Sequence, residues 1–137
     1  MVPNGAKDQF LAFQAPIDAV LDTGFRFGGQ HYGMSHQGPL MGLPGRTQAW
    51  DAPASAFDLL IDHLEPAFTL AADIDILVIG TGSDIAPLPD PTRDALRDAG
   101  LALEVSATRA AVRTYNVLLS EDRRVAAALL PLTLQGS

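Results

Sequence analysis

Two short stretches contain residues whose types and spacing could bind an anion or a partner molecule. In the first, Gly80-Thr81-Gly82, the backbone N–H groups could face an anion, as those of glycine-rich strand-to-helix loops do. The second, residues 106–116 (SATRAAVRTYN), supplies guanidinium, hydroxyl and amide groups suited to hydrogen bonding. The candidate binding residues are therefore Gly80, Thr81, Gly82, Arg109, Arg113, Thr114, Tyr115 and Asn116.

Both stretches also have structural explanations. The glycine turn lacks the spacing of the nucleotide-binding loops GxGxxG and GxxxxGK(S/T), so a tight turn is the alternative. Arg109 and Arg113 lie four residues apart, hence on one helical face, where they could clamp a carboxylate or a phosphate. Alternatively, the two arginines pair with nearby acids, for which the candidates are Glu104, Glu121 and Asp122.

The uncharged polar side chains of the second stretch are expected in structural roles first. Thr114 and Asn116 are expected to hydrogen-bond backbone groups where strand and helix meet, because buried polar groups are normally paired. Tyr115 is expected to pack its ring in the core with its hydroxyl reaching outward.

Residues for catalysis or metal binding are scarce. The chain has no cysteine, which excludes disulfides, thiol nucleophiles and cysteine metal sites. His31, His36 and His63 show no metal-binding spacing, and Ser83 lacks the GxSxG elbow of a hydrolase nucleophile. We therefore predict no catalytic residue, no metal and no cofactor.

A βαβ unit must position the two stretches. Residues 74–79 (IDILVI) are typical of a central strand, residues 90–99 of a short helix with Gly100 at its end, and residues 101–105 of a strand of period two. Thr108 can cap a second helix, so both stretches lie at the carboxyl ends of neighbouring parallel strands, where open α/β sheets place ligands. The last strand, residues 125–130, is expected to run against these two.

The first half of the chain predicts a β layer. Residues 24–43 indicate a hairpin that turns at Gly29-Gln30, and residues 47–50 a third strand. Residues 55–64 predict a helix capped by Ser55 and ended by Pro66. The predicted fold is α/β: a three-layer single domain with a mixed central sheet built on the βαβ unit, plus an N-terminal β-hairpin layer.

Length and charge limit the remaining possibilities. The 137 residues suffice for one domain, with a partly flexible extension at 1–22, the domain at 23–132 and a tail at 133–137. A net charge of -7 argues against nucleic-acid binding, and no stretch is apolar enough to predict insertion into a membrane. Without a recognisable signal or transit pattern, we expect a cytoplasmic protein of a bacterium, or a mitochondrial one only for an organellar homologue.

Several motifs in order resemble one known family. DILVIGTG, the Leu88-Pro89 segment, GLALEV and TRAAVRTYNVLLSEDRRVAAALLPL together resemble the family of mitochondrial complex I assembly factor three and the adipogenesis-associated domain-containing protein. The resemblance covers about residues 23–132, and Ser106-Ala107 replaces the Met-Asp usual in that family, while Val112 stands where a cysteine is frequent. It implies a three-layer α/β domain and a protein partner, such as a respiratory-complex subunit or another assembly factor.

Two functions follow as hypotheses. The first is a non-catalytic protein-interaction module that assists assembly of a respiratory or other membrane complex, recognisable by an exposed apolar patch. The aromatic candidates for that patch are Phe25, Phe27, Tyr32 and Trp50. The second is a small-anion or metabolite-binding protein, conceivably an enzyme, with its site at the carboxyl edge of the sheet. We favour the first, because the chain lacks an acid–base pair.

Overall fold

The structure, a computed structural model, describes residues 10–133, and in this range it contains two β-sheets and four α-helices. The smaller sheet has three strands in the order β1-β2-β3, and the larger has five in the order β5-β4-β8-β6-β7. No helix in this range is long and apolar enough to cross a membrane.

The predicted βαβ unit forms the centre of the larger sheet. Strand β6 (Ile76–Thr81) leads through α3 (Asp90–Asp98) to β7 (Ala102–Ser106), and the two strands pair in parallel, as predicted. Helix α4 (Thr108–Ser120) then leads to β8 (Val125–Leu130). Strand β8 also pairs with β6 in parallel, so the expectation that it runs against the pair was wrong. The physical reason is that α4 makes a second helical crossover, which returns the chain to the same end of the sheet.

Antiparallel strands complete the larger sheet. Strand β4 (Leu40–Leu43) pairs antiparallel with β8 on one side and with β5 (Arg46–Ala49) on the other. The sheet is therefore mixed, and the predicted fold class, an α/β domain with a mixed central sheet and a further β layer, is confirmed.

The smaller sheet contains the predicted hairpin. Strands β2 (Gly24–Phe27) and β3 (Met34–Gln37) pair antiparallel, and β1 (Ile17–Val20) adds to β2. The connection is a single helical turn, α1 (Gly29–Tyr32), rather than a two-residue turn. The second arm of the hairpin ends at Gln37, because Gly38 has a φ of 97° and redirects the chain into β4 of the larger sheet.

The predicted helix at residues 55–64 is wrong as a continuous element. Two 3-10 turns, Ala56–Asp58 and Ile61–Leu64, replace it, and the helix α2 (Glu65–Thr69) follows. Ser55 does accept a hydrogen bond from the Phe57 N–H. However, the Leu59 carbonyl accepts a 2.7 Å bond from the Thr92 hydroxyl of α3, which competes with continuation of a helix. Pro66 occupies the first turn of α2, where its missing N–H costs nothing, and does not end a helix.

Two hydrophobic cores lie on opposite faces of the larger sheet. One core packs Leu77 and Ile79 of β6 against α3, and the other packs Val78 against Tyr115 of α4 and against Phe25 and Phe27 of the smaller sheet. This arrangement fixes the carboxyl ends of β6, β7 and β8 at one edge, beside the start of α4. The division of the chain at residues 22 and 132 stays a prediction, although β1 and its buried Ile17 precede residue 23.

Candidate functional site

Thr108, the first residue of α4, ties the ends of two strands together. Its backbone N–H donates to the Gly82 carbonyl at 2.8 Å, and its hydroxyl oxygen accepts from the Gly82 N–H at 2.8 Å. The same hydroxyl donates to the Leu130 carbonyl at the end of β8, at 2.6 Å. The side chain is fully buried. The Gly82 N–H that was predicted as an anion donor is therefore used within the protein.

Gly80 allows α4 to begin this close to the sheet. A Cβ atom at Gly80 would lie 2.8 Å from the Thr108 hydroxyl oxygen and 3.0 Å from the Thr108 Cα. Any larger residue would push the start of α4 away from β6. The glycine thus serves the close approach of helix and strand.

The Thr81 hydroxyl holds the chain that follows the turn. It donates to the Asp84 carbonyl at 2.7 Å, with a longer contact to the Ser106 carbonyl at 3.3 Å, and it accepts from the Ala86 N–H at 3.1 Å. The Thr81 hydroxyl therefore fixes the loop. Gly82, the next residue, has a φ of 104°.

Tyr115 is directed inward, and its hydroxyl bonds the segment that precedes β1. Its side chain is fully buried, and its hydroxyl donates to the Ala15 carbonyl at 2.9 Å, so the expectation that this hydroxyl reaches outward was wrong. Burial raises the pKa of Tyr115, with a smaller opposing effect of the Gln14 side chain, and the phenol stays neutral. Gly42 of β4 leaves space for this hydroxyl, since a Cβ there would collide with it.

Asn116 pairs with the backbone of β1. Its side-chain oxygen accepts from the Ile17 N–H at 2.9 Å, and its side-chain nitrogen donates to the Ile17 carbonyl at 2.8 Å. The amide therefore acts as a neighbouring strand would for this residue. Asn116 bonds a backbone, as expected, but one that lies 99 residues away in the sequence rather than at the strand–helix junction.

The other three predicted residues differ in exposure. Arg109 and Arg113 are exposed on α4, and neither forms a salt bridge with any residue between 10 and 133, including the acids proposed as internal partners. Thr114 is half-buried on the same helix. Gly82, Tyr115 and Asn116 are therefore bonded within the protein, as is the Thr81 hydroxyl. Arg109 and Arg113 form no salt bridge with another described residue.

A groove opens beside the Gly80-Thr81-Gly82 turn. This carboxyl-edge groove has a volume of about 500 Å³ and lies between the loop after β6, the end of β8 and the turn at residues 54–57. Its lining includes Phe57, Ile85, Pro131 and Leu132, with Asp84 as its charged residue. Arg109 and Arg113 do not line it, so the predicted clamp around the turn is not assembled.

Exposed apolar side chains border this groove. Phe57 is 62% exposed and Ile85 is 67% exposed, and Leu60 and Ile61 follow Phe57 on the surface. Of the four aromatic residues expected in an exposed patch, Phe25, Phe27 and Trp50 are buried, so for these three the expectation was wrong. Tyr32 is exposed, as expected, but it does not line the groove. Alternation on strands predicts burial of Phe25 and Phe27 as readily as exposure, which is why the sequence did not distinguish them.

Sequence reasoning missed Phe57 and Ile85 as candidates. Phe57 lies in the segment predicted as a continuous helix, which does not form, and Ile85 lies in the loop between β6 and α3. No signal in the sequence separates the exposed Ile85 from Leu88, which lies in the same loop and is buried in the core.

Two of the three histidines, His36 and His63, have local partners. Within residues 10–133, no three or more His, Asp or Glu side chains form a group that could hold a metal ion. His63 accepts at Nδ1 from the Leu60 N–H at 2.9 Å. His36 contacts the Pro39 carbonyl through Nε2 at 3.1 Å, and its ring packs against that of Phe10 with a tilt of 48°. Burial lowers the pKa of His36, against the smaller opposing effect of the Pro39 carbonyl.

Comparison with protein families gives one match over most of the chain. Residues 17–130 match the family described as "Protein of unknown function (DUF498/DUF598)". A relative from Rhodobacter capsulatus, an uncharacterized protein, is 38% identical over 126 residues, which are 92% of each chain. Among solved structures, an outer membrane protein from Bartonella henselae is similar, with 36% identity and a TM-score of 0.79 over 88% of this chain and 97% of that chain.

Assembly factors of NADH dehydrogenase are also similar. The NADH dehydrogenase (ubiquinone) 1 alpha subcomplex assembly factor 3 of Danio rerio is 36% identical over 69% of this chain, and that of Homo sapiens is 33% identical over 84%. The matched part spans 53% and 60% of these two assembly factors. A Mth938-like domain from Bordetella pertussis, 24% identical with a TM-score of 0.72 over 98% of this chain and 92% of that chain, shares the fold.

Proposed function

Since this chain belongs to the DUF498/DUF598 family, we propose that it is a non-catalytic protein-interaction module. Its similarity to complex I assembly factors and to bacterial proteins supports this proposal. In this proposal it assists the assembly of a respiratory or other membrane complex by binding a subunit or another assembly factor. The names of the relatives support the class of partner, and the surface of this chain supports the mode of binding.

The exposed apolar rim of the carboxyl-edge groove carries the proposal. Phe57 and Ile85 each leave most of their side chain in water beside a concave surface that is largely apolar. Adjacent exposed apolar residues of this size around a groove mark surfaces that a partner covers. A partner side chain in this groove would remove both from water, at about 25 cal/mol per Å² of apolar area.

Arg109 and Arg113 would form part of the polar rim of such an interface. The helix that carries them starts at Thr108, which is bonded to a groove residue, Gly82, so a protein that covers the groove reaches this end of α4. Both guanidinium groups are exposed and available for carboxylates of the partner.

The alternative, a small-anion or metabolite site, has less support. The groove lining contains the carboxylate of Asp84 and no arginine, lysine or histidine. The Gly82 N–H, the donor best placed for an anion at the turn, is already bonded to Thr108. An anion in this groove would meet a negative charge without a compensating cation.

The test is a cross-linked pull-down of the tagged protein from its own cells, membranes included. We expect wild type to recover one respiratory or membrane complex, and the double variant Phe57→Ser/Ile85→Ser to lose it. The matched control is Tyr32→Ser, which removes an aromatic side chain that is 58% exposed and does not line the groove. Its recovery should equal that of wild type.

The variant Arg113→Ala tests the rim in the same experiment. It should weaken recovery by about tenfold or less, as for a rim charge, while the thermal unfolding midpoint stays at the wild-type value. Failure of wild type to recover any protein complex would refute the assembly proposal, and equal recovery with the groove double variant would move the interface elsewhere.

A further inference from the structure

Strand β7 leaves one side of the larger sheet open. It is the last strand in the order β5-β4-β8-β6-β7, and its sole strand partner within residues 10–133 is β6. The five residues Ala102–Ser106 therefore have a second hydrogen-bonding side that no described strand uses. Such an edge is a template for another extended chain.

The pairing with β6 defines which groups point outward. The Ala102 N–H donates to the Asp75 carbonyl at 2.9 Å, and Ala102 is in register with Ile76. In a parallel ladder, alternate residues bond the same neighbour, so residues 102, 104 and 106 bond β6. The N–H and C=O groups of Leu103 and Val105 are the ones directed to the open side.

The opposite edge of the same sheet is closed by the chain itself. Residue Leu11 forms a bridge with Thr47 of β5, in which the Leu11 N–H donates to the Thr47 carbonyl and the Thr47 N–H to the Leu11 carbonyl, each at 3.1 Å. Thr47 is also fully buried. The two edges thus differ: a described segment pairs with β5 at Leu11, and no described segment pairs with the open side of β7.

A second groove runs along the open edge. It has a volume of about 570 Å³, and Leu103 and Val105, whose backbone groups face outward, line it together with Ile85 and Leu88. Leu103 and Val105 pack partly against the core on the α3 face. Alternate side chains of an added strand would therefore project beside α3 into this groove, since side chains of a strand alternate between faces.

The charges at this groove are mixed, with more positive than negative groups. Arg93 and Arg97 of α3 line it, against the single carboxylate of Glu104. Arg97 is exposed and in no salt bridge with another described residue. Arg93 donates to the Leu88 carbonyl at 3.4 Å and lies 3.5 Å from the carboxylate of the exposed Asp90. Although the chain has a net charge of -7, the two arginines make this a site where an acidic side chain of a partner is attracted rather than repelled.

From these observations we infer that β7 binds an extended segment of a partner protein as a sixth strand of the sheet. The segment alternates apolar side chains, which enter the groove beside Leu103 and Val105, with polar ones, and carries an acidic residue that meets Arg97. The inference rests on the proposed function and names the mode in which one part of the partner binds. Ile85 lines both this groove and the carboxyl-edge groove, so one partner can occupy the two together.

The test uses the ¹⁵N-labelled full chain and a panel of synthetic peptides of about ten residues that alternate valine with aspartate or threonine. We expect an aspartate-containing peptide to slow hydrogen exchange of the Leu103 and Val105 amides by about tenfold, because both become bonded to the peptide. The exchange rates of the Ala102 and Glu104 amides should change less, because these amides are directed to β6. No protection of residues 103 and 105 by any peptide overturns the inference.

Two pairs of variants isolate the backbone and the charge. Val105→Pro and Val105→Ala both remove the valine side chain, and only the proline removes the outward N–H. We expect Val105→Pro to bind the peptide about tenfold more weakly than Val105→Ala, the effect of one lost hydrogen bond. Arg97→Glu should weaken binding of the aspartate peptide more than Arg26→Glu does, since Arg26 is exposed on β2 of the smaller sheet and lines neither groove. If Val105→Pro does not fold, the exchange data on wild type decide alone.

Further outcomes separate this inference from the proposed function. Protection of the residue 103 and 105 amides in the free chain at every concentration means that the chain covers its own edge, and protection that grows with concentration means a second copy does. Either result overturns the inference. If the pull-down recovers a complex with Val105→Pro as well as with Val105→Ala, the strand-addition mode is refuted and the interaction module stands. If wild type recovers nothing, the proposed function itself is refuted.

Discussion

At the scale of single residues, one hydroxyl connects the candidate site to the fold. The buried Thr108 hydroxyl bonds both the Gly82 N–H and the Leu130 carbonyl. Thr108→Val has nearly the same shape and removes both bonds. We expect it to lower the free energy of unfolding by about 1–3 kcal/mol for each buried group left unpaired.

Urea denaturation of wild type, Thr108→Val and Thr108→Ser checks this expectation. Serine keeps the hydroxyl and loses a methyl group, so it should retain more stability than valine does. A serine variant less stable than the valine variant would show that packing of the methyl group, rather than the two hydrogen bonds, holds this junction.

His36 gives a prediction about pH. Burial lowers its pKa in the folded protein below the value of about 6.5 that is usual for histidine in an unfolded chain. Between the folded and unfolded pKa values the unfolded chain binds more protons, so this residue makes the protein less stable as the pH falls below about 6.5. Glutamine can still donate to the Pro39 carbonyl but does not titrate. His36→Gln should therefore gain stability relative to wild type as the pH is lowered.

The measurement is the difference in unfolding free energy between His36→Gln and wild type, at pH values from about 8 to about 5. Carboxylates that titrate in the same range contribute equally to both proteins and cancel in the difference. A difference that stays constant over this range would show that burial does not shift the titration of His36.

At the scale of elements, side chains from the middle of α4 hold β1. The Asn116 side chain makes two bonds to the Ile17 backbone, and the neighbouring Tyr115 hydroxyl bonds Ala15. Asn116→Ala should cost about 1–3 kcal/mol, because the Ile17 N–H and C=O lose partners in a half-buried place. The loss should be expressed first as local opening of β1.

Hydrogen exchange distinguishes local from global effects. In Asn116→Ala we expect faster exchange of the Ile17 amide at low denaturant, with the amides of β6 and β8 unchanged under the same conditions. Thr114→Ala, on the same helix and half-buried, is the control and should leave β1 as in wild type. Equal acceleration in β1 and β8 would contradict the local role of Asn116.

The elements differ in how far the sequence determines them. The unit β6-α3-β7 was predictable because its apolar periods and its turn residues are local signals. The segment at 55–64 was not, since the Thr92–Leu59 bond that interrupts its helix joins residues 33 apart. Tyr115 and Asn116 bond residues that lie about 100 positions away in the sequence. Local sequence therefore indicated that both residues need hydrogen-bond partners, but it did not indicate which groups these partners are.

At the scale of the whole molecule, the two cores share one sheet. Strand β8 sends Ala126, Ala128 and Leu130 to one core and Val125, Ala127 and Leu129 to the other. The six side chains are all buried, which the unbroken apolar run VAAALL indicated. If β8 leaves the sheet, both cores become exposed to water. The molecule should therefore unfold as one unit.

Leu129→Ala tests this coupling. The substitution lies in the core that contains Tyr115, and it should cost about 2–5 kcal/mol as a buried leucine truncation. The single tryptophan, Trp50, lies in the other core and reports on that core by fluorescence. We expect the fluorescence transition and the far-ultraviolet circular dichroism transition to shift together to lower urea. If the dichroism transition shifts while the Trp50 transition stays at the wild-type midpoint, the two halves are independently stable. The groove and the β7 edge both adjoin the Trp50 core, so they would then keep their structure when the other core is damaged.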